Sequence, residues 1–403
     1  WASQMRREMG CTEQSLFDHP GIRAAAHFIE TRTEAGQKVL VFGRFTKPMR
    51  ALVQLLNARA MLKSLESSEP WPQGKVHIEE WPAVRAAHRQ LQCTIGIEAL
   101  DAKLADQYRD ADGRREQFRK GLVERLSAGL NGIAHVERRR CLAFLQCLDG
   151  ASEGSGGANE QPLVWISRAL LELLPMSSSV VSDASPDLLA KTFCDLVGSL
   201  MGADDPDEDD AEDPDRVDMQ SVAESATSRA LQFARYAEQW KNFTERVSAE
   251  FNHQTGTYAR LMWGQTKQES RRAMQLAFNR KGSFLRVLVA QSAVGREGLN
   301  LHEACRTVVL LHPEWNPAVV EQQIGRVDRI YSQWEKEFRQ RMEEGAPAES
   351  LPRIDIHAVV FKGTYDEYNW SVLRQRWNDL RAQLHGIVIP DRLAGNDPIA
   401  MEI

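Results

Sequence analysis

The sequence has few features that would place it in a membrane, a disulfide scaffold or a metal site. Its 403 residues include six cysteines, with no CxxC pair and no His/Cys spacing typical of zinc, so we expect a reduced, cytoplasmic protein. The apolar runs are short, such as 308–311, whereas a membrane helix needs roughly 18 to 20 apolar residues. We therefore expect no membrane partner and no metal ligands, and the length predicts two or three domains.

The sequence also lacks the G-x-x-x-x-G-K-[ST] loop that cradles nucleotide phosphates. The nearest candidate, Gly74-Lys75, is followed by Val76 and has no upstream glycine. No acidic DExx box follows a predicted strand. Residue 1 is Trp and no signal peptide follows, so we expect a piece of a longer polypeptide whose remainder carries these elements. Alone, the chain is predicted to be inactive.

The net charge of −6 is unevenly distributed. Ten acidic residues lie between Asp204 and Asp218 against Arg216 alone, a local charge of −9 that leaves +3 for the rest of the chain. The overall charge therefore does not exclude a nucleic-acid partner. With few apolar residues and two prolines, 203–218 is predicted to be a disordered acidic segment. A divalent-ion loop, which would lack the EF-hand glycine and closing glutamate, and an acidic mimic of nucleic acid are the alternatives.

Two regions alternate short apolar runs with helical patterns. The predicted strands are 38–45, 258–261, 284–290, 307–311 and 354–361, and the predicted helices are 22–31, 48–62, 266–278, one from about 317, and 365–384. The capping-box spacing Thr266-Lys-Gln-Glu269 predicts the start of the third helix. Strands of this length alternating with helices predict an α/β fold with a parallel sheet covered on both faces.

Between these regions, 65–250 has almost no strand signal. Apolar residues recur every three or four positions from Val222 to Phe251, which predicts one helix of some thirty residues with a core-facing stripe. We interpret this region as a helical domain inserted into the α/β domain. The predicted organisation is a linker at 1–18, the α/β domain in two parts at 19–64 and 251–385, the insertion at 65–250, and a tail at 386–403.

The segment 292–301 leaves the end of a predicted strand. Gly295 and Gly298 allow its backbone to approach a ligand closely and to present N–H groups to a phosphate. Such a loop suits the phosphodiester backbone of a nucleic acid.

Gln322, Arg326 and Arg329 are spaced at i, i+4 and i+7. If this segment is helical, the three side chains share one face, with Gly325 leaving room beside them. Two guanidinium groups directed the same way repel unless an anion lies between them, and a polyphosphate fits that requirement. The alternative is that the arginines only pair with acidic neighbours such as Asp328.

In this order the elements resemble the second RecA-like lobe of superfamily 2 helicases, in particular Snf2-like ATP-dependent translocases. The resemblance covers about 19–60 and 252–385 and implies a RecA-like sheet interrupted by a large helical insertion. The matching elements are motif IV in 38–45 with its following helix, motif V in 292–301, Trp315-Asn-Pro317, motif VI in 322–329, and Gly363-Thr-Tyr-Asp-Glu367.

The resemblance implies roles for individual residues in ATP hydrolysis. Arg329 is expected to be the arginine finger and Arg326 its partner at the γ-phosphate, with Gln322 setting their geometry. The residues expected beside the nucleotide are Gly325, Gly298 and Glu297. ATP and Mg²⁺ are expected to be bound mainly by an N-terminal lobe outside this sequence.

The resemblance also implies a nucleic-acid track. The residues expected to line it are Ser292, Gly295, Arg296 and Asn300. Arg44 and Thr46, at the mouth of the motif IV strand, are expected to contact a phosphate, and the alternative is that they are ordinary surface loop residues.

Together these features predict the second motor lobe of an ATP-dependent DNA translocase. Its expected partners are double-stranded DNA, the N-terminal lobe and a protein bound through the insertion. Arg296 stands where motif V often has a second glycine, a variant that resembles bacterial RapA-like proteins and DISARM-type phage-defence helicases and implies antiviral defence. The alternatives are a non-catalytic docking module and an RNA helicase lobe.

Overall fold

The computed structural model describes residues 16–69, 71–133, 135–152, 160–174, 184–202, 222–251, 257–292 and 299–385. The chain divides into two compact units. The sheet unit comprises Trp1–Arg109, Thr255–Thr266 and Phe278–Ile403, and the helical unit comprises Asp110–Gln254 and Lys267–Ala277.

The sheet unit is built on five parallel strands in the order β2-β3-β1-β4-β5. They are β1 (Lys38–Gly43), β2 (Ala259–Met262), β3 (Val287–Gln291), β4 (Cys305–Leu310) and β5 (Asp355–Ala358). The predicted α/β class and RecA-like parallel sheet are confirmed. Each strand overlaps its predicted run, although β3 begins at Val287 rather than at residue 284.

Burial explains why these runs form strands. All six residues of β1 are buried, and Val41 is in register with Val289 of β3 and Val309 of β4. A strand at the centre of a parallel sheet is covered on both faces, so it is a continuous apolar run rather than an alternating one.

Helices cover the sheet and hold its edge. The helices of this unit are α1 (Pro20–Glu34), α2 (Thr46–Ser67), α3 (Trp81–Leu91), α11 (Pro317–Ile324), α12 (Gln333–Glu343) and α13 (Tyr365–His385). Asn57 of α2 donates its side-chain amide to Ala259 O (2.9 Å) and accepts from Ala259 N (2.8 Å). These two bonds fix the first residue of β2, which is an edge strand and has a neighbour on one side only.

The helical unit contains only helices among its described residues. They are α5 (Leu122–Gly129), α6 (His135–Ser152), α7 (Glu160–Leu173), α8 (Pro186–Met201), α9 (Val222–Phe251) and most of α10 (Gln268–Asn279), while α4 (Leu100–Arg119) crosses the boundary between the units. The predicted thirty-residue helix is present as α9. The boundary of the insertion predicted at 65–250 stays a prediction; residues up to Arg109 belong to the sheet unit.

A glycine and a fully buried aromatic core explain the packing of the helical unit. A Cβ on Gly129 would lie 2.0 Å from Pro186 O, so α5 and α8 approach closely only because residue 129 has no side chain. Phe144, Phe193 and Phe243 are fully buried and form ring contacts of 5.1 and 6.1 Å through Phe243.

The helix predicted to start at Thr266 is present with a slightly later first residue. Thr266 Oγ1 accepts a hydrogen bond from Trp263 N (3.0 Å), and the helix begins two residues later, at Gln268. The hydroxyl closes the turn after β2. Among the described residues, none of the helices is long and apolar enough to cross a membrane.

Candidate functional site

The carboxyl ends of β1, β3 and β4 meet at one edge of the sheet, here called the carboxyl edge. Ser292 follows β3 and is 4% exposed. Its backbone N–H and its hydroxyl both donate to Gly43 O, at 2.9 and 3.2 Å, and Gly43 is the last residue of β1. The predicted nucleic-acid residue Ser292 therefore joins the ends of two strands.

Gly43 and His312 are packed tightly at this edge. A Cβ on Gly43 would lie 2.7 Å from the Met49 side chain and 3.2 Å from His312 Nδ1. Burial, with a smaller contribution from the positive charge of Arg44, lowers the pKa of His312 to about 4. His312 is therefore neutral at physiological pH, and Nδ1 makes no hydrogen bond within the described part of the chain.

The arginine motif is a helix followed by a turn. Asn316 caps α11 by accepting from Ala318 N (3.0 Å), and Pro317 occupies the first helical turn. The helix ends at Ile324, so Gln322, Arg326 and Arg329 do not share the face of one helix as the spacing predicted. Arg326 O instead accepts from Leu301 N (3.1 Å), which ties the turn to the segment after the motif V loop.

The two arginines have different surroundings. Arg326 is 8% exposed and its Nε makes no hydrogen bond in the described residues, whereas Arg329 is half-buried and donates from Nε to Gly325 O (3.4 Å). Burial, with a smaller contribution from the positive charge of Arg329, lowers the pKa of Arg326. Within the described chain neither guanidinium group forms an ion pair with a carboxylate. Asp328 accepts a hydrogen bond from Trp334 Nε1 (3.1 Å).

Further buried polar atoms lie beside the arginine turn. Gln323 is 2% exposed, and both polar atoms of its amide have no hydrogen-bond partner in the described residues; the same is true of Asn300 Oδ1. The backbone O of Asn300 accepts from Asn279 Nδ2 (2.8 Å). Such atoms are costly to bury unless something satisfies them. Gln323 was not singled out from the sequence, because an amide between Gln322 and Ile324 carries no local signal of burial.

Arg44 and Thr46 lie at the mouth of β1. Arg44 is exposed and lies 3.7 Å from Glu314, with its guanidinium over the exposed ring of Phe45 at 5.5 Å. Thr46 is the half-buried first residue of α2. Gln322 is exposed on α11.

Four predicted site residues lie outside the described residues: Gly295, Arg296, Glu297 and Gly298. Among the others, Asn300 precedes Leu301, whose N–H bonds Arg326 O, and Arg329 bonds Gly325 O within the same turn, whereas Ser292 lies at the ends of β1 and β3.

Helix α13 is hydrogen-bonded to α11, the helix that precedes the arginine turn. Trp377 is 4% exposed, and its indole N–H donates to Glu321 Oε1, one residue before Gln322. The bond ties α13 to α11 and so constrains the helix that leads into the arginine turn.

No group of three or more His, Cys, Asp or Glu side chains suited to a metal ion occurs among the described residues. The polar side chains of the arginine turn that lack a carboxylate partner among the described residues are the guanidinium groups of Arg326 and Arg329 and the amide of Gln323. Such a set fits an anion rather than a bare cation.

Part of the chain matches a known protein family. Residues 217–331, which include the motif V and VI segments, match the family model "Helicase conserved C-terminal domain". With the five parallel strands, this match defines an α/β RecA-like helicase C-terminal fold.

Three Arabidopsis thaliana proteins are similar to part of the chain. They are the SNF2 domain-containing proteins CLASSY 4 (32% identical over 114 residues) and CLASSY 3 (31% over 109), and the DNA repair protein RAD5A (29% over 130). The alignments cover 28%, 27% and 32% of this chain but 10%, 8% and 12% of the relatives, so the chain matches about a tenth of their lengths. These similarities support a Snf2-like superfamily 2 helicase C-terminal lobe.

Proposed function

We propose that this chain is the second motor lobe of an ATP-dependent, Snf2-like translocase that moves on double-stranded DNA. The observation that carries the proposal is the pair Arg326 and Arg329, which have no carboxylate partner in the described residues although one of them is buried. A structural arginine this deeply buried is ordinarily paired. An unpaired one suits an anion that arrives from outside.

The arginines would act on the terminal phosphate of ATP. ATP supplies the phosphoryl group that is transferred, and Mg²⁺ neutralises part of its charge. Arg329, which is half-buried, would stabilise the negative charge that develops on the transferring group, as arginine fingers do with gains of about 10³ to 10⁵ in rate. Arg326, already desolvated, would bind the same phosphate with little further cost of dehydration.

Most of the nucleotide would be bound by an N-terminal lobe. The chain has no Walker loop to cradle the phosphates, so we expect hydrolysis only when both lobes are present. Opening and closing of the cleft between lobes would then move the protein along duplex DNA. Gly325, Gly298 and Glu297 remain proposed nucleotide neighbours.

The nucleic-acid track would run along the carboxyl edge. Asn300 and the motif V residues Gly295 and Arg296 are proposed to contact the backbone, with Arg44 and Thr46 at the mouth of β1. Ser292 would act by fixing the ends of β1 and β3 rather than by its own contact, since its hydroxyl is bonded to Gly43 O.

Arg296 and the helical unit bear on the cellular role. The variant at Arg296 continues to predict a bacterial antiviral protein, and the helical unit is proposed to bind a protein partner. The relatives found are plant proteins, one of which is named for DNA repair.

The test is the ATPase activity of the full-length protein with duplex DNA, single-stranded DNA and RNA. We expect duplex DNA to stimulate hydrolysis most. Arg329→Lys should lower the turnover number about 10³-fold or more while ATP affinity changes little, because an ammonium group lacks the planar fork. Arg339→Lys, at an exposed arginine paired with Glu335, is the matched control and should be neutral.

Two outcomes would contradict the proposal. Activity that no nucleic acid stimulates, and that Arg329→Lys does not lower, would favour the docking module. Stimulation by RNA alone would favour an RNA helicase lobe.

A further inference from the structure

Exposed aromatic side chains follow neighbouring strands at the carboxyl edge. Phe45 follows β1, Trp315 follows β4, and Tyr365 and Tyr368 begin the helix after β5, so they occur in the spatial order of the strands. Their exposed fractions are 56%, 46%, 66% and 62%. We call these four residues the aromatic row. Large apolar side chains that are exposed as a group commonly mark a binding site.

Three of the four rings lie next to one another, while Phe45 packs on the ring of His312 (5.3 Å). The centroids of Trp315 and Tyr365 are 6.2 Å apart, and those of Tyr365 and Tyr368 are 6.0 Å apart with an angle of 26° between the ring planes. The two tyrosines thus present nearly parallel faces.

The charges differ between the two ends of the row. At the Phe45 end, the exposed side chains Arg44, Lys47 and Arg50 lie before and within the first turns of α2. Arg44 lies over the Phe45 ring and 3.7 Å from Glu314, and Arg50 lies over the Trp263 ring at 5.0 Å. Three positive charges against one carboxylate leave this end basic. This end attracts phosphates.

The tyrosine end carries acidic side chains instead. Asp366 and Glu367 lie in the first turn of α13, and Glu367 accepts from Gly363 N (2.7 Å). Carboxylates here repel a phosphate backbone but not the uncharged faces of bases. A duplex turns its charged backbones outward and keeps its base faces stacked inside, so it does not match this pattern.

We propose that the aromatic row stacks on unpaired bases of a nucleic-acid strand whose phosphates lie against Arg44, Lys47 and Arg50. The inference rests on the proposed function and refines its substrate: this lobe engages a strand with unstacked nucleotides, not only a continuous duplex. Base–aromatic stacking is sequence-tolerant, so little base preference is expected.

The test measures the affinity of the full-length protein for three labelled ligands at equal salt. They are a single strand, the same strand as a duplex, and an abasic strand of equal length and charge. We expect Tyr365→Leu with Tyr368→Leu to weaken binding of the single strand roughly ten- to hundredfold and to leave the abasic strand unchanged. Tyr365→Phe with Tyr368→Phe keeps both rings and should bind as the wild type does.

Two further variants separate stacking from charge and from general surface effects. Lys47→Gln with Arg50→Gln should weaken binding of the single strand and the abasic strand alike and should reduce the salt dependence. Ile78→Ser removes the most exposed large apolar side chain, which lies away from the strand ends, and should change nothing.

The proposal fails if the leucine variants bind the single strand normally, as they would if the row served a protein partner. It also fails if they weaken the abasic strand equally. A failure here with duplex-stimulated ATPase intact would leave the motor proposal standing. Base-dependent binding without any ATPase activity would overturn the motor proposal and retain the aromatic row as a nucleic-acid surface.

Discussion

Arg306 and Arg326, two arginines of the sheet unit, differ in their charged neighbours. At the amino ends of β4 and β5, Arg306 lies 2.9 Å from Asp355 and 3.1 Å from Glu337 and also donates to Arg353 O (2.8 Å). In the arginine turn, Arg326 is more deeply buried yet has no ion pair among the described residues. An arginine that is paired within the fold adds to its stability, whereas a buried arginine without a carboxylate partner costs stability.

The largest expected effect contrasts these two arginines. Arg306→Met should destabilise the chain by about 1 to 3 kcal/mol, because Asp355 then keeps only the longer ion pair with Arg32 (3.9 Å) and Glu337 only the hydrogen bond from Gln333 Nε2 (2.7 Å). Arg326→Met should leave stability unchanged or raise it, since it removes a desolvated and unpaired charge. Urea unfolding of each variant measures its free energy of unfolding, and equal losses would contradict the difference between the two arginines.

Lys38, at the amino end of β1, is a buried basic side chain with a hydrogen bond to an uncharged hydroxyl group. It is 2% exposed and donates to Ser283 Oγ (2.7 Å), and burial, with a smaller effect of Arg286, lowers its pKa from 10.5 to about 6. The folded chain therefore releases this proton near pH 6, whereas the unfolded chain keeps it up to about pH 10.5. Unfolding takes up a proton in that window, so stability should rise with pH by at most about 1.4 kcal/mol per pH unit.

The measurement is urea unfolding between about pH 6.5 and 8.5, above the ordinary histidine pKa and below that of free thiols. Lys38→Met should flatten the rise. A slope that persists in this variant would assign the pH dependence to another group.

The next effect tests packing at the carboxyl edge. Gly43→Ala places a Cβ 2.7 Å from the buried Met49 side chain and should cost about 1 to 3 kcal/mol by overpacking. Gly198→Ala is the matched control: this helical glycine has open space around it, so alanine should stabilise by about 0.5 to 1 kcal/mol. Thermal unfolding of both variants tests the contrast in sign.

The smallest effect concerns the bond between strand ends. Ser292→Ala loses the hydroxyl bond to Gly43 O but keeps the backbone one, so a loss of about 1 kcal/mol is expected from equilibrium unfolding. Ser350→Ala, at an exposed serine that bonds Pro347 O, should be close to neutral. A Ser292 variant as stable as wild type would mean that the hydroxyl is free to serve a ligand instead.

The strands and most helices could be predicted because their signals are local. The β1 run is apolar because both its faces are covered, and the described members Phe243, Val247 and Phe251 of the predicted stripe are buried. The arginine turn could not be predicted from spacing. It is set by the hydrogen bond from Leu301 N to Arg326 O, a contact between segments distant in the chain.

The state of individual side chains was also out of reach of the sequence. Lys38 was expected only as the first residue of a strand, yet it is buried against Ser283. Thr266 had the spacing of a cap, and its hydroxyl closes the turn after β2. Tyr365 lay within a recognised motif and Tyr368 just after it, but the stacking of their rings depends on the geometry of the helix start.

Two backbone hydrogen bonds join the segment around Leu301 to the arginine turn: Leu301 N to Arg326 O, and Gln333 N to His302 O (2.8 Å). Their partners Arg326 and Gln333 lie on either side of Arg329 in the sequence. The position of residues 299–302 and the position of the arginine turn are therefore linked through the main chain. In the proposed motor, a displacement of residues 299–302 by a bound strand would change the position of the two guanidinium groups.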